Sequence, residues 1–367
     1  MIPTQLHRLP ERVLIVGLAA GAIALASLAA ACSSGAKDET KAPAATSTST
    51  RSATVTAKAT VAPADTSTPA STPEPTTAVA PTSVPPIDTP AAEPPPPAST
   101  PVDAPQIQLS APVIGQGETT TIRLWNYFAS SATAFCDERR YPLVADGESF
   151  WGVIGAAGDA VAGTHAVTID LYDTNGDVIG ELATQVTVVD MGYPVENIDL
   201  PADVTGSLDP GLIQQENNAR ASSFAQFTAQ KLWSGPFIWP VAEVIVSPYG
   251  IRRSYNGGPV NSFHQGLDLA ADEGVPVATG NSGRVAYVGS GPTHGNSVLI
   301  DHGDGVFSGY NHLSAVSVQV GQMVGKGDVV GLIGSTGMAT GPHLHWEILV
   351  RGLPVDPVPW TLQDVNP

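Results

Sequence analysis

The sequence predicts a mainly β protein in which one helix joins two strand-rich regions. In the first region, residues 119–125 and 165–172 alternate polar and apolar side chains, the period-2 pattern of half-buried strands. In the second, short apolar runs such as 283–288 and 297–300 are separated by Gly, Asn and Asp turns. Between the regions, 209–233 has a capping aspartate, a proline and a broken apolar stripe, which indicate a helix.

Residues 1–32 have the pattern of an export signal. Two arginines precede the apolar run 13–28, and three alanines then precede Cys32. Small residues ahead of a cysteine resemble a bacterial lipoprotein processing site, which implies lipidation of Cys32 and membrane attachment through it. Ala29 stands where an aliphatic residue is usual, and the apolar run approaches spanning length. Ordinary cleavage with secretion and an uncleaved anchor therefore stay open as alternatives.

Residues 33–105 are predicted to be a disordered linker. The segment consists mostly of Ala, Ser, Thr and Pro, and no aromatic residue precedes Trp125. Such a composition buries too little apolar surface to offset the entropy lost on ordering. About 70 residues at about 3.1 Å each give an upper reach of roughly 200 Å, long enough to carry a domain away from a membrane.

Residues 106–200 predict an accessory antiparallel β-sandwich of immunoglobulin-like size. Within it, 173–177 is a hairpin turn signal and 183–190 the returning strand. His165 is expected to be structural. Two cysteines are too few for a disulfide framework, and we expect Cys136 to be a half-buried thiol with no bond to Cys32.

Residues 207–235 are predicted to be a helical connector that braces the two β regions. Asp209 can cap the helix, and Pro210 suits its first turn. Residues 236–367 then form the second β domain. The chain has a net charge of −18 and no Lys/Arg cluster outside its N-terminus, which argues against a nucleic-acid surface and fits an exported protein.

Potential metal ligands are concentrated in the second β domain. His264 and Asp268 lie in one stretch, and His343 and His345 lie in another. A catalytic zinc takes three such ligands and leaves one position open. In a strand His343 and His345 share a face, roughly 6.6 Å apart, and spacing alone does not say which of the two binds. His264 and Asp268 would be about 13 Å apart on a straight strand, so the sequence predicts a turn or bulge at Gly266.

These motifs resemble those of the lysostaphin-type (LytM-like) zinc endopeptidases of bacterial cell walls. The pattern HxGxD, followed by YxHL at 310–313 and GPHLHWE at 341–347, carries the resemblance, which covers about 237–359. It implies a C-terminal antiparallel β peptidase domain of the lysostaphin-like (biotinyl/lipoyl-hybrid-like) type. Residues 106–200 in turn resemble the accessory β domain that precedes the peptidase in some members of this family.

The resemblance also implies roles for individual residues. Zinc would be held by His264, Asp268 and His345, the matches to the His and Asp of the first motif and the second His of HxH. His343 and His312 would line the site, with His343 as general base and His312 hydrogen-bonded to the water or the oxyanion, although these two roles are exchangeable. Tyr310 is expected to help stabilise the oxyanion.

Four further residues match no ligand position. His294 and His302 are expected to be structural or at the rim of the site, and Glu347 and Asp304 to be solvated or to support ligands.

The expected function is that of an exported zinc endopeptidase acting on peptidoglycan peptides, either anchored in the cell envelope facing the wall or secreted. One alternative is a non-catalytic wall-binding or amidase-activating module with the same fold, and another is a protease with a protein substrate. The resemblance further raises the hypothesis that the accessory domain or the helix covers the cleft.

Overall fold

The computed structural model describes residues 104–125, 127–200, 209–242 and 244–366. The predicted export signal with Cys32, and the linker up to residue 103, lie outside these ranges. The described part of the chain is mainly β, as predicted. Among its helices, none combines the length and apolar character needed to cross a membrane.

The first region contains strands whose hydrogen-bonded order is β1-β3-β6-β5-β4-β7-β8-β2. All neighbours in this order are antiparallel except β2 and β8, which are parallel. Alternating residues of β3 and β7 are buried, so one face of each strand packs into the core. The strands are β1 (Gln106–Leu109), β2 (Val113–Gly115), β3 (Thr119–Trp125), β4 (Ser131–Cys136), β5 (Arg139–Asp146), β6 (Ser149–Gly155), β7 (Gly163–Tyr172) and β8 (Val178–Val189).

The hairpin turn lies where the sequence predicts it, between β7 and β8. The Asp173 carboxylate accepts hydrogen bonds from the backbone N–H groups of Asn175 and Asp177, which explains why aspartate begins this turn. The returning strand starts at Val178, earlier than predicted. His165 is structural: its Nδ1 lies 2.8 Å from the Asp137 carboxylate.

Cys136 is buried rather than half-buried, and within the described residues its thiol has no disulfide partner. Burial raises its pKa to about 11, so the thiol stays protonated and unreactive at neutral pH.

The helix, α1 (Pro210–Phe224), is shorter than predicted. Asp209 caps it by accepting from the N–H groups of Gly211 and Leu212. Beyond Phe224 the backbone bonds to the turn after residue 300: Leu232 N donates to His302 O, and Asp304 N donates to Thr228 O. These tertiary bonds occupy the N–H group of Leu232 and the carbonyl group of Thr228, which would bond to each other in a longer helix.

The second region is built on a main sheet with the order β10-β13-β21-β17-β16-β15-β19. β22 pairs with β21, and two small sheets have the orders β14-β20-β18 and β12-β11-β9. The strands are β9 (Val195–Ile198), β10 (Ile245–Ser247), β11 (Arg252–Tyr255), β12 (Ser262–Phe263), β13 (Leu267–Ala270), β14 (Pro276–Ala278), β15 (Gly283–Gly291), β16 (Gly295–Gly303), β17 (Val306–Leu313), β18 (Ala315–Val316), β19 (Met323–Val324), β20 (Val329–Leu332), β21 (His343–Val350) and β22 (Leu353–Val355), followed by helix α2 (Val358–Leu362).

The main sheet has two differently occupied faces. Leu344, Trp346 and Ile348 of β21 point into the large apolar core. The intervening residues, from His343 to Leu349, point to the opposite face, where Leu349 belongs to a separate apolar cluster. Polar chemistry along β21 is therefore confined to the face away from the large core.

Trp233 connects the two regions. Its ring packs edge-on against Trp151 of β6 at 6.1 Å and against Trp360 of α2 at 6.3 Å. We expect Trp233→Ala to lower the free energy of unfolding by about 3–5 kcal/mol, the range for truncating a buried aromatic side chain. Denaturant unfolding followed by circular dichroism measures this change. Phe128→Ala is the control, because that side chain is 84% exposed, and a loss for Trp233→Ala no larger than that of the control would contradict this packing role.

Candidate metal centre

Three side chains converge on the polar face of the main sheet. His264 Nε2 lies 3.0 Å from Asp268 Oδ1 and 3.0 Å from His345 Nδ1, and His345 Nδ1 lies 2.8 Å from Asp268 Oδ1. Within the described residues, His264, Asp268 and His345 are the side chains that could hold a metal ion together, since one donor atom from each lies within 4.8 Å of the others. The structure thus brings together the three residues that the family resemblance implies as metal ligands.

Strand register places two of these residues side by side. Asp268 of β13 and His345 of β21 are direct cross-strand partners, so their side chains share a face. His264 reaches them because the chain leaves β12 after Phe263 and enters β13 at Leu267. The predicted interruption around Gly266 is therefore present.

Gly266 is required for a close approach rather than for an unusual φ angle. A Cβ at this position would lie 2.3 Å from the carbonyl oxygen of Trp346 and 3.0 Å from the ring of His345. The backbone between His264 and Asp268 lies against β21 at a distance that only glycine allows.

Hydrogen bonding fixes the tautomer of His264. Its Nδ1 lies 2.8 Å from the carbonyl oxygen of Pro248, which can only accept, so Nδ1 carries the hydrogen and Nε2 presents a lone pair to the site. Burial lowers the pKa of His264 to about 4. The ring is therefore neutral at pH 7, the form that binds metal ions.

His345 lies between two carboxylates. Its Nδ1 contacts Asp268, and its Nε2 lies 3.5 Å from Glu347 Oε1. Burial alone would lower the pKa of His345, but hydrogen bonding to the two carboxylates outweighs burial and raises it to about 9. Burial opposes ionisation of Asp268 as well, yet the hydrogen bond from His345 holds the pKa of its carboxyl far below the usual range.

This donor set fits a zinc ion. Two imidazole nitrogens and one carboxylate oxygen are a known ligand set for catalytic zinc, with one position left for water. The second ring nitrogens of His264 and His345 face a backbone carbonyl and a carboxylate, the outer partners that orient metal-binding histidines. Without a cation, the lone pair of His264 would face the negatively charged Asp268 at 3.0 Å.

Gly266→Ala tests this geometry. The added Cβ must displace β21 or the segment between His264 and Asp268, so we expect the zinc affinity to fall about 10- to 100-fold, as when groups that orient metal ligands are altered. Competition with a chromogenic chelator measures the affinity. Gly341→Ala is the matched control, because no atom of the described residues lies within 4 Å of its added Cβ. Equal zinc affinities in the two variants would contradict the close-approach argument.

His312 and His343 flank the three converging residues. Their rings lie 4.8 Å apart, and the His312 ring is 5.9 Å from that of His345. In each ring Nδ1 lies 2.8 Å from a backbone carbonyl oxygen, of Thr336 for His312 and of Gly341 for His343. Both rings therefore keep a lone pair on Nε2. Burial, with the neighbouring histidines, lowers the pKa of His312 to about 3.

The expectation for Tyr310 is corrected by the structure. Tyr310 pairs with Trp346, on the face of the sheet opposite His345, and its side chain is fully buried in the large core. Its hydroxyl accepts from Gly280 N and contacts Ser308 Oγ and Thr279 Oγ1. Tyr310 is therefore a core residue with a satisfied hydroxyl and is turned away from the site.

The structure also places three other candidate residues of the second β domain, His302, Asp304 and His294. His302 is buried and structural, with its Nε2 2.7 Å from Ser308 Oγ. Asp304 is neither solvated nor a support for a ligand: it is buried, its carboxylate has no hydrogen-bond partner among the described residues, and burial raises its pKa well above the usual value. His294 lies beside the site, with Nε2 3.7 Å from Glu347.

Glu347 is buried beside His345 rather than solvated. The sequence offers a signal for this position, because residues two apart on a strand share a face.

Two residues at the site have no motif in the sequence. Glu216 and Arg220 of helix α1 are buried against the polar face of the main sheet. Their spacing of four places them on one face of the helix, but nothing in that spacing indicates which surface they contact.

A comparison with known families agrees with this geometry. The sequence model described as Peptidase family M23 matches residues 262–357. The match spans all three converging residues as well as His312 and His343. The resemblance drawn from the motifs is thus confirmed for the C-terminal domain.

Curated relatives match about a quarter to a third of the chain. The DD-carboxypeptidase/endopeptidase Mpg of Neisseria meningitidis is 43% identical over 117 residues, which are 31% of this chain and 26% of Mpg. The peptidoglycan DD-endopeptidase ShyA of Vibrio cholerae is 46% identical over 93 residues, 25% of this chain and 22% of ShyA. The chain thus spans about a quarter of the length of these relatives.

A solved structure covers more of the fold. A crystal structure from Pseudomonas aeruginosa, assigned to peptidase M23, aligns with 69% of this chain and 96% of its own with a TM-score of 0.50. At 23% identity this similarity concerns the fold alone.

Proposed function

We propose that this chain, whose residues 262–357 form a peptidase family M23 domain, is an exported zinc-dependent endopeptidase that hydrolyses peptide bonds in peptidoglycan. The observation that carries the proposal is the convergence of His264, Asp268 and His345, whose donor atoms all lie within 4.8 Å of one another. The names of the relatives Mpg and ShyA support peptidoglycan peptides as the substrate class.

His264 Nε2, Asp268 Oδ1 and His345 Nδ1 would hold the zinc ion. When bound, zinc supplies Lewis acidity, which makes water more acidic and a carbonyl carbon more electrophilic. The protein keeps the ligands ready by two contacts: Pro248 O holds His264, and Glu347 faces the ring of His345. Arg253, 3.6 Å from Asp268 Oδ2, offsets part of the charge of that carboxylate.

His343 is the proposed general base. Its Nε2 keeps a lone pair because Nδ1 donates to Gly341 O, and its side chain is the more exposed of the two flanking histidines. His343 would take a proton from the attacking water and pass it to the leaving amine. The low pKa of His312 opposes proton uptake there, so His312 would accept a hydrogen bond from the water and orient it.

Digestion of purified sacculi tests the proposal. The full chain is analysed for metal content and then incubated with sacculi, and the released muropeptides are identified by mass spectrometry. We expect stoichiometric zinc and new peptide termini, with loss of activity in chelator and recovery on addition of zinc. A wall-binding or amidase-activating module would bind sacculi without new peptide termini, and a protease for protein substrates would cleave a denatured protein but not sacculi.

We also propose a location in the cell envelope, since that is where the proposed substrate lies. The pattern before Cys32 supports export and lipid attachment. The intact mass of the mature protein tests this, because a diacylated or triacylated Cys32, ordinary signal cleavage and an uncleaved chain give three different masses.

A further inference from the structure

Helix α1 buries charged side chains. Glu216 and Arg220, the two charged residues of the helix, are buried together with Ser223, whereas Leu212 is 52% exposed. Removing a charge from water is unfavourable unless the charge is paired and hydrogen-bonded, and an ion pair inside a protein contributes less to stability than apolar packing would. Burial of Glu216 and Arg220 is therefore poorly explained by a contribution to stability alone, and their contacts indicate a further role.

Arg220 reaches a metal-ligand histidine through one intermediate. Its Nη2 donates to Glu347 Oε2 at 2.5 Å, and its Nη1 donates to Asn311 Oδ1 at 3.1 Å. Asn311 Nδ2 in turn donates to the same Glu347 oxygen at 3.1 Å. With Oε2 occupied in this way, Oε1 is the oxygen that faces His345 Nε2, at 3.5 Å.

Glu216 reaches the other side of the site, also through one intermediate. Its carboxylate accepts from the backbone N–H groups of Thr293 and His294 and lies 2.8 Å from His294 Nδ1. The carbonyl oxygen of His294 accepts from the N–H of His312 at 2.9 Å. His312 has φ +62°, a costly conformation for a non-glycine residue, which persists only when neighbouring contacts hold it.

Apolar packing sets the register of the helix. Phe224, one turn beyond Arg220, packs edge-on against Phe307 with ring centres 5.1 Å apart, in the cluster that contains Leu349. The helix is thus held at two points one turn apart: Arg220 is bonded to Glu347, and Phe224 packs against the apolar cluster.

We propose that helix α1 is a positioning element of the active site. Arg220, acting through Glu347, orients the metal ligand His345, and Glu216, acting through His294, holds His312 in its strained conformation. This inference rests on the proposed function. Because the helix lies on the same face of the sheet as the ligands, a competing role as a cover over the cleft predicts the opposite result when its contacts are weakened.

The experiment uses the full chain with Arg220→Met. We expect the zinc dissociation constant, measured by chelator competition, to rise about 10- to 100-fold, as for other partners that orient metal ligands. Arg220→Lys keeps the charge but loses the two-point geometry, so its dissociation constant should lie between those of the wild-type protein and Arg220→Met. Since Arg220→Met leaves Glu347 buried without its cation, the double variant Arg220→Met/Glu347→Gln serves if the single one fails to fold, with the same expected loss of zinc affinity.

Glu216→Gln separates the two arms of the proposal. Its zinc affinity should stay within about twofold of wild type, while kcat with zinc saturating falls about tenfold or more and KM changes little, since His312 acts on the water. Asn218→Ala, on the exposed side of the helix, is the control and should change neither quantity. If the helix were purely structural, these substitutions would lower Tm without changing the zinc affinity or the kcat of each folded molecule.

Three results would overturn the inference. The first is zinc affinity within twofold of wild type in the Arg220 variants and the double variant. The second is an unchanged kcat in Glu216→Gln, and the third is higher activity in any of these variants, which would identify the helix as a cover. If the wild-type protein bound no zinc, the proposed function itself would be contradicted, and this inference with it.

Discussion

Replacing His345 with alanine is expected to abolish zinc binding at equimolar metal and to reduce hydrolysis of peptidoglycan to background. His345 supplies one of three converging donor atoms and contacts the other two at 3.0 Å or less. The metal contributes several kcal/mol of transition-state stabilisation, which corresponds to about a thousandfold or more in rate. Metal analysis of the purified variant and muropeptide release from sacculi measure the two losses together.

His165→Ala is the matched control for this prediction. His165 is also hydrogen-bonded to an aspartate, but it lies in β7 of the first region, outside the metal centre. This variant should keep its zinc and its activity. Stoichiometric zinc in His345→Ala would show that the metal, if present, is held by other groups, and the assignment of the three ligands would then be wrong.

Much of the site follows from the period of a strand and the pairing of two strands. His343, His345 and Glu347 alternate along one run, so they share a face wherever that run is a strand. The cluster itself needs β13 to pair with β21 in one register, which sets Asp268 beside His345. Periodicity does not give that register, whereas the resemblance of the motifs to a known family implies it.

Tyr310 shows where local periodicity misleads. Tyr310 and His312 are two residues apart, so a regular strand would place them on the same face. In the structure the pairing of β16 with β17 shifts beyond Tyr310, and His312 adopts a positive φ angle. His312 therefore turns to the metal centre while Tyr310 stays in the core. A motif of four residues contains no signal for such an irregularity.

Long-range contacts are the other part that the sequence does not reveal. Arg220 and its partner Glu347 are 127 residues apart in the chain. The pattern of 209–233 indicates a helix and its cap, but the apolar stripe predicts a face covered by hydrophobic residues. The buried face instead carries a glutamate and an arginine, because the surface beneath the helix presents the ring of His294 and the carboxylate of Glu347.

Replacing His343 with alanine is expected to leave zinc bound while lowering kcat about 10²- to 10⁴-fold, the usual contribution of a general base. The Nε2 of His343 lies 3.7 Å from Asp268 Oδ1, farther than the donor atoms of the three ligands lie from one another. Its removal therefore takes away a proton acceptor but no ligand. Zinc content, together with kcat and KM on a soluble muropeptide, measures both expectations.

His312→Ala provides the comparison that separates the two flanking histidines. It should also keep zinc and lose turnover, but it should leave the shape of the pH profile of kcat above about pH 5 unchanged, because burial lowers the pKa of His312 to about 3 and keeps its ring neutral there. Retained hydrolysis in His343→Ala would exclude it as the base. If His312→Ala instead removed the acidic limb of the pH profile, His312 would be the base and His343 would orient the water. Proton transfer would then fall on the more buried histidine, where burial opposes the charge that the transfer creates.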